Sequence, residues 1–186
     1  MLQIYRLQIA VVAAIVLAAI IALDLQGRSW WCGAGDLSPW SWQVLSRHNS
    51  QHLIDPYSFT HILHGILEFW LIGIVFRKMP LAWRFVIAIF IEGSWELIEN
   101  TNYVINRYRE STISLNYFGD SIANSLSDIA CCGIGVLIAF KLRLWSFALF
   151  LITEIVLLFW IRDSLLLNIL MLVWPVEGIR QWQVGA

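Results

Sequence analysis

Residues 7–23, LQIAVVAAIVLAAIIAL, hold no ionisable side chain. A run of this length and character is a bilayer span, because lipid offers no partner for backbone amides and carbonyls and only a helix satisfies them internally. Further apolar runs follow at about 57–76, 84–104, 119–140, 144–161 and 164–175. Composition agrees. Of 186 residues, 59% are hydrophobic and 13% charged, about half the charge of an average soluble domain. Eleven tryptophans suit the headgroup interface. The pattern predicts an all-α, polytopic transmembrane bundle of about six helices. It forms one integral membrane domain over 1–186, and membrane lipids are its surroundings. The last run is short, so a spanning and a half-inserted helix both remain open. The first reads as an uncleaved helix, since it is long for a signal sequence and its downstream context is poor for cleavage. Residues 24–56 are expected to be an outer loop with one short interfacial helix.

Loop charge sets orientation. Arg6, Arg77, Lys78, Arg84, Lys141 and Arg143 fall on one side without an acid among them. Arg28, Arg47, Arg107, Arg109 and Arg162 fall on the other, mixed with acids. The acid-free side reads as cytoplasmic, with the N-terminus inside. A net charge of -1 gives no bulk attraction to nucleic acid.

Against this apolar background, three consecutive runs each carry a polar stripe. The second has His61, His64 and Glu68. The third has Glu92, Glu96 and Glu99, with Asn100 beside them and Tyr103 continuing the line. The fourth has Asp120, Asn124 and Asp128. Each set recurs at helical spacing and so shares one face. A charge at the bilayer centre costs about 2.5–3.5 kcal/mol by insertion scales, so the stripes are expected to face one another. At about 1.5 Å rise per residue, His64 lies about 10 Å deep, and Glu96 and Asp128 about 15 Å. The stripes thus predict a funnel in the outer half of the membrane, with His64, Glu68, Glu96 and Asp128 near its floor.

Crowded acids need protons or a cation. Imidazole with carboxylate suits Zn, Mn or Fe, so a divalent metal held by His64, Glu68, Glu96 and Asp128 is one expectation. The H-x-x-H of His61 and His64 is ligand-compatible but is not the zinc protease spacing. Catalytic candidates are His61, His64, Glu96, Glu99, Asp120, Asn124 and Asp128. Substrate-binding candidates are Arg107 and Arg109, suited to an anionic headgroup, with Asn100 and Tyr103. The sequence has no nucleotide-binding glycine pattern, no haem or iron–sulfur spacing and no serine-nucleophile motif. Cys131 and Cys132 read as small apolar helix residues, and Cys32 has no evident disulfide partner. Glu154, alone in its run, reads as helix-packing glue.

The strings SQHLIDPYSFTHILHG, WELIEN, RYREST and GDSIANSLSD resemble, over about residues 45–140, a family of uncharacterised multi-pass inner-membrane proteins of bacteria. The resemblance implies a bacterial inner-membrane location and carries no activity. More loosely, Asp120 and Asn124 match the D-x-x-x-N of VanZ-like proteins, with weaker matches at His61, Glu92 and Arg107 or Arg109. Those proteins are associated with glycopeptide resistance at the envelope. This chain departs from them at His64, Glu96 and Glu99.

The reading that unites these features is a membrane-embedded hydrolase or group transferase acting from the periplasmic side on a lipid or lipid-linked envelope substrate. A proton- or cation-coupled transporter is the first rival. The stripes fade into FVIAIFI and CCGIGVLIAF toward the inner face, which favours a dead-end pocket. A non-catalytic membrane assembly protein is the second rival.

Overall fold

A computed structural model describes residues 5–114 and 116–185. Among these, eight helices form and no strand. They are α1 (Arg6–Leu25), α2 (Ser58–Val75), α3 (Leu81–Glu99), α4 (Asn102–Ser111), α5 (Ile122–Leu142), α6 (Trp145–Ile161), α7 (Leu165–Val173) and α8 (Glu177–Val184). Three of them, α1, α2 and α5, are long and apolar enough to cross a membrane. The pair α6 and α7, bent by 70° at its break, makes a fourth if it counts as one span. Helix α3 has a similar length, 19 residues. It misses that apolar standard because Arg84, Glu92, Glu96 and Glu99 all lie within it.

Against about six membrane helices expected, three or four qualify as spans, and the eight helices arise for local reasons. The third apolar run does not continue to 104. Asn100 Nδ2 donates to Glu96 O at 3.0 Å and caps the last turn of α3. Thr101 takes an extended backbone, and its hydroxyl accepts from Val104 N, starting α4 as a separate helix. Helix α4 occupies what reads in sequence as a polar loop, and α8 adds a further helix at the tail. Residues 26–57 contain no helix, contrary to the interfacial helix expected there. Side chains capture their backbone groups instead, as where Ser38 N donates to Asp36 Oδ1 at 2.9 Å. A single parallel bridge joins Trp40 to Ile54.

Helices α2 and α5 form the closest pair. A Cβ added at Gly65 would stand 1.9 Å from the carbonyl oxygen of Cys132, and one at Gly135 would stand 2.0 Å from that of Ile62. The backbones touch because neither glycine has a side chain, as in small-residue membrane packing. Around and beyond this crossing the interior is apolar, built on Leu63, Ile66, Phe69, Ile72, Val136 and Ala139. Helix α3 packs against α1, α2 and α5. It turns Glu92 and Glu96 inward, at 1% and 0% exposure, and leaves Phe90 and Ile91 outside.

Candidate functional site

The polar residues gather at the end of the bundle where α2 begins, α3 ends and α5 begins. Asp55 builds the start of α2: Oδ1 accepts from Tyr57 N at 2.8 Å and Ser58 N at 3.1 Å, and Oδ2 from Ser50 N at 3.0 Å. Ser121 starts α5, its hydroxyl accepting from Asn124 N at 3.1 Å. With both starts fixed, the side chains of three helices meet within about two turns of these ends.

Glu92 is the hub. Its Oε1 pairs with His61 Nδ1, and its Oε2 lies 2.9 Å from His64 Nδ1. His61 Nδ1 is also 3.6 Å from Glu96 Oε1, and His61 Nε2 is 3.7 Å from Asp128 Oδ2. Glu99 joins His61 and Glu96 in a group whose ligand atoms all lie within 4.8 Å of one another, as do His61, His64 and Glu92, and Glu68, Glu92 and Cys132. Glu68 sits one turn deeper, where Cys132 Sγ donates to its Oε2 at 3.3 Å. Both carboxylate oxygens of Glu96 and Oδ1 of Asp128 are buried with no hydrogen-bond partner among the described residues. Leaving such groups unpaired is costly, so their place is set for a proton, a cation or a polar ligand.

Of the expected residues, His61, His64, Glu96, Glu99 and Asp128 come together here. The four expected metal ligands, His64, Glu68, Glu96 and Asp128, do not form one such group, because Glu92 stands between them. Asp120 and Asn124 lie one layer out. Asp120 accepts from Asn100 Nδ2 at 2.9 Å and Tyr117 OH at 3.0 Å. Burial lifts its carboxyl to about 6, while those two hydrogen bonds pull the other way. Asn124 Nδ2 donates to His52 O at 2.8 Å. Asn100 is buried in the Asp120 network, but Tyr103 is 81% exposed, because the break before α4 changes the helical phase. The two arginines are tied elsewhere. Arg107 Nε donates to Leu172 O at 2.9 Å, and Arg109 Nε donates to Tyr117 O with its guanidinium over the Phe118 ring.

Beside the cluster lies a cavity of about 60 Å³, room for about four waters. His61, His64, Glu99, Asp120 and Asp128 supply its polar wall, and Leu165, Ile169 and Leu172 of α7 an apolar one. Asn49 and Ser50 of the long loop also line it.

A third helix running on to 104 would set Glu92 about 18 Å deep. Ending α3 at Glu99 lifts every residue on it. Glu92 is then seven residues from the end of α3, about 10 Å, level with His64 six residues into α2, about 9 Å. The early stop was legible in Asn100-Thr101, a cap pair followed by polar residues.

No solved structure matches the chain. The UPF0314 protein of Rhizobium meliloti is 43% identical over 167 residues, covering 89% of this chain and 85% of the relative. That of Brucella anthropi is 43% identical over 178 residues, 92% and 90% of the two chains. That of Novosphingobium aromaticivorans is 44% identical over 175 residues, 91% and 88%. A family model described as protein of unknown function (DUF2585) matches residues 23–185, taking in α2 to α8 and with them all the residues that meet at Glu92, and the chain belongs to that family.

Proposed function

We propose that the protein is a membrane-embedded enzyme of the bacterial inner membrane, a hydrolase or group transferase that works from the periplasmic side on a lipid or lipid-linked envelope substrate. The observation that carries this reading is Glu96, fully buried with neither oxygen hydrogen-bonded among the described residues, beside an imidazole that faces a cavity with room for about four waters. Glu92 holds Nδ1 of His61, which leaves Nε2 directed to Asp128 and available as a general base toward water. Asp128 and Glu96 supply acid or base groups beside His61. The same donors suit a divalent cation. Held by His61, His64 and Glu92, it would supply Lewis acidity and lower the pKa of bound water.

The two-sided lining supports a lipid substrate. A reacting polar group fits the cavity, and acyl chains fit the leucine and isoleucine face of α7. The loose likeness to VanZ-like proteins points to the same compartment. The apolar crossing of α2 and α5 beyond the cluster favours a pocket over a through path, which ranks the transporter second.

Proteoliposomes containing bacterial envelope lipids, followed by lipid mass spectrometry, test the proposal. Wild type is expected to convert one lipid class. Glu96→Gln and His61→Ala, checked for intact folding by gel filtration, are expected to lose about 100-fold or more of that rate. Conversion at the wild-type rate by folded Glu96→Gln refutes it. So does Glu96-dependent proton or cation flux without any lipid conversion.

A further inference from the structure

Far from Glu92 in sequence, the loop 26–57 holds a second group of metal-ligating side chains. Cys32 Sγ lies 3.4 Å from His48 Nδ1, and His52 Nε2 lies 3.3 Å from the same nitrogen. Asp36 Oδ2 approaches it to 3.9 Å. One ring nitrogen carries either one proton or one lone pair, so hydrogen bonding alone does not account for three polar atoms converging on His48 Nδ1. A shared ion between them does.

The Cys32, His48 and His52 distances match a tetrahedral ion, and Asp36 Oδ2, 3.9 Å from His48 Nδ1, needs a small side-chain shift to complete it. With Zn–N of about 2.05 Å and Zn–S of about 2.3 Å, tetrahedral edges come to about 3.3 Å for N···N and about 3.6 Å for S···N. The structure has 3.3 Å and 3.4 Å for those edges. His52 is fully buried, and its Nδ1 meets the carbonyl oxygen of Ser38 at 2.5 Å. A carbonyl only accepts, so Nδ1 carries the proton and Nε2 presents its lone pair to the group. This outer hydrogen bond is the usual device that fixes a ligating histidine. Asp36 is oriented as well, since its Oδ1 accepts from Ser38 N at 2.9 Å. Cys32 is 6% exposed, which shelters a thiolate once metal displaces its proton.

We propose that Cys32, His48 and His52 bind a zinc ion, with Asp36 as the fourth ligand. The site is structural. Four protein ligands leave no open position, and thiolate with imidazole selects zinc over magnesium or calcium. Its effect reaches the cavity. The His52 carbonyl accepts from Asn124, the Gln51 carbonyl accepts from Ser121 Oγ at 3.1 Å, and Asn49 and Ser50 line the cavity wall. The ion pins the segment 48–52 that covers the polar cluster. This assignment stands whether or not the cluster below is an enzyme.

Cobalt substitution in the full-length protein in detergent tests it. Chelated protein reloaded with Co²⁺ is expected to show tetrahedral d–d absorption and a cobalt–thiolate charge-transfer band. The band should be lost in Cys32→Ser and in His52→Ala. It should persist in the double variant Cys131→Ser, Cys132→Ser, which removes the thiol beside Glu68, and in His61→Ala. Wild-type protein gives a second readout that needs no variant to fold. Labelling of Cys32 by a maleimide, located by peptide mapping, should be lost with zinc and restored by chelator, with Mg²⁺ giving no protection. A missing cobalt–thiolate band, a band that depends on Cys131 or Cys132, or Cys32 labelling indifferent to zinc each overturns the proposal.

Discussion

Glu92 and Asp120 show how differently two buried carboxylates are handled within one end of the bundle. Glu92 meets two imidazoles and anchors the cluster. Asp120 meets two neutral donors, Asn100 and Tyr117, and ties the end of α3 to the start of α5. Neutral donors compensate burial only in part, and the Asp120 carboxyl rises from 3.8 to about 6. A raised acid stabilises the fold fully below its unfolded value, and that contribution is lost as pH climbs through the folded value. The rise corresponds to about 3 kcal/mol. Wild type is therefore expected to lose stability relative to Asp120→Asn between about pH 4 and pH 6, with the steepest fall near pH 5. Melting of both proteins across that range checks it, and parallel curves would contradict the assignment. At this scale the sequence was informative about residue type and face. His61, His64, Glu96, Glu99 and Asp128 are legible from spacing four and three alone. The loop ligands were not, although H-x-x-x-H at His48 and His52 with Cys32 upstream is a ligand spacing. Cys32 lies 16 residues before His48, and only the folded loop brings it beside the two rings.

Among the elements, the α2–α5 crossing and the α6–α7 bend carry the architecture. A methyl group at Gly65 has nowhere to go, since the carbonyl of Cys132 is 1.9 Å from its position. Gly65→Ala is expected to force the helices apart and to cost about 1–3 kcal/mol, an overpacking penalty, visible as a lowered melting temperature in detergent. Gly178→Ala, with open space around it, is the matched control. At the bend, Glu154 takes up two free amides at the start of α7, Leu165 N at 2.9 Å and Leu166 N at 3.2 Å. The glue expected of Glu154 is thus a charge-assisted helix cap between adjacent segments. Glu154→Ala should cost about 1.5–3 kcal/mol and speed proteolysis near residues 162–164, whereas Glu154→Gln should retain part of the cap. Helix existence was readable from apolar runs. The end of α3 was readable only from its Asn100-Thr101 cap pair, and α4 and α8 were not readable at all, because short polar helices depend on tertiary cover.

For the whole molecule, the long loop, α4 and the start of α5 lie at one end of the bundle, and Arg77, Lys78 and Lys141 at the other. The proposed orientation makes the first end periplasmic. Cysteines introduced one at a time in a cysteine-free background locate them. Ser41→Cys should react with a membrane-impermeant thiol reagent in intact cells, and Lys141→Cys only after permeabilisation. The reverse pattern would invert the orientation. Helix α3 has a further consequence for biogenesis. Its 19 residues hold four ionisable side chains, too many for it to partition alone from the translocon into lipid. It is expected to leave as a hairpin with α2, already carrying the two histidines that pair with Glu92, so that the pairing of imidazole with carboxylate precedes insertion rather than following it.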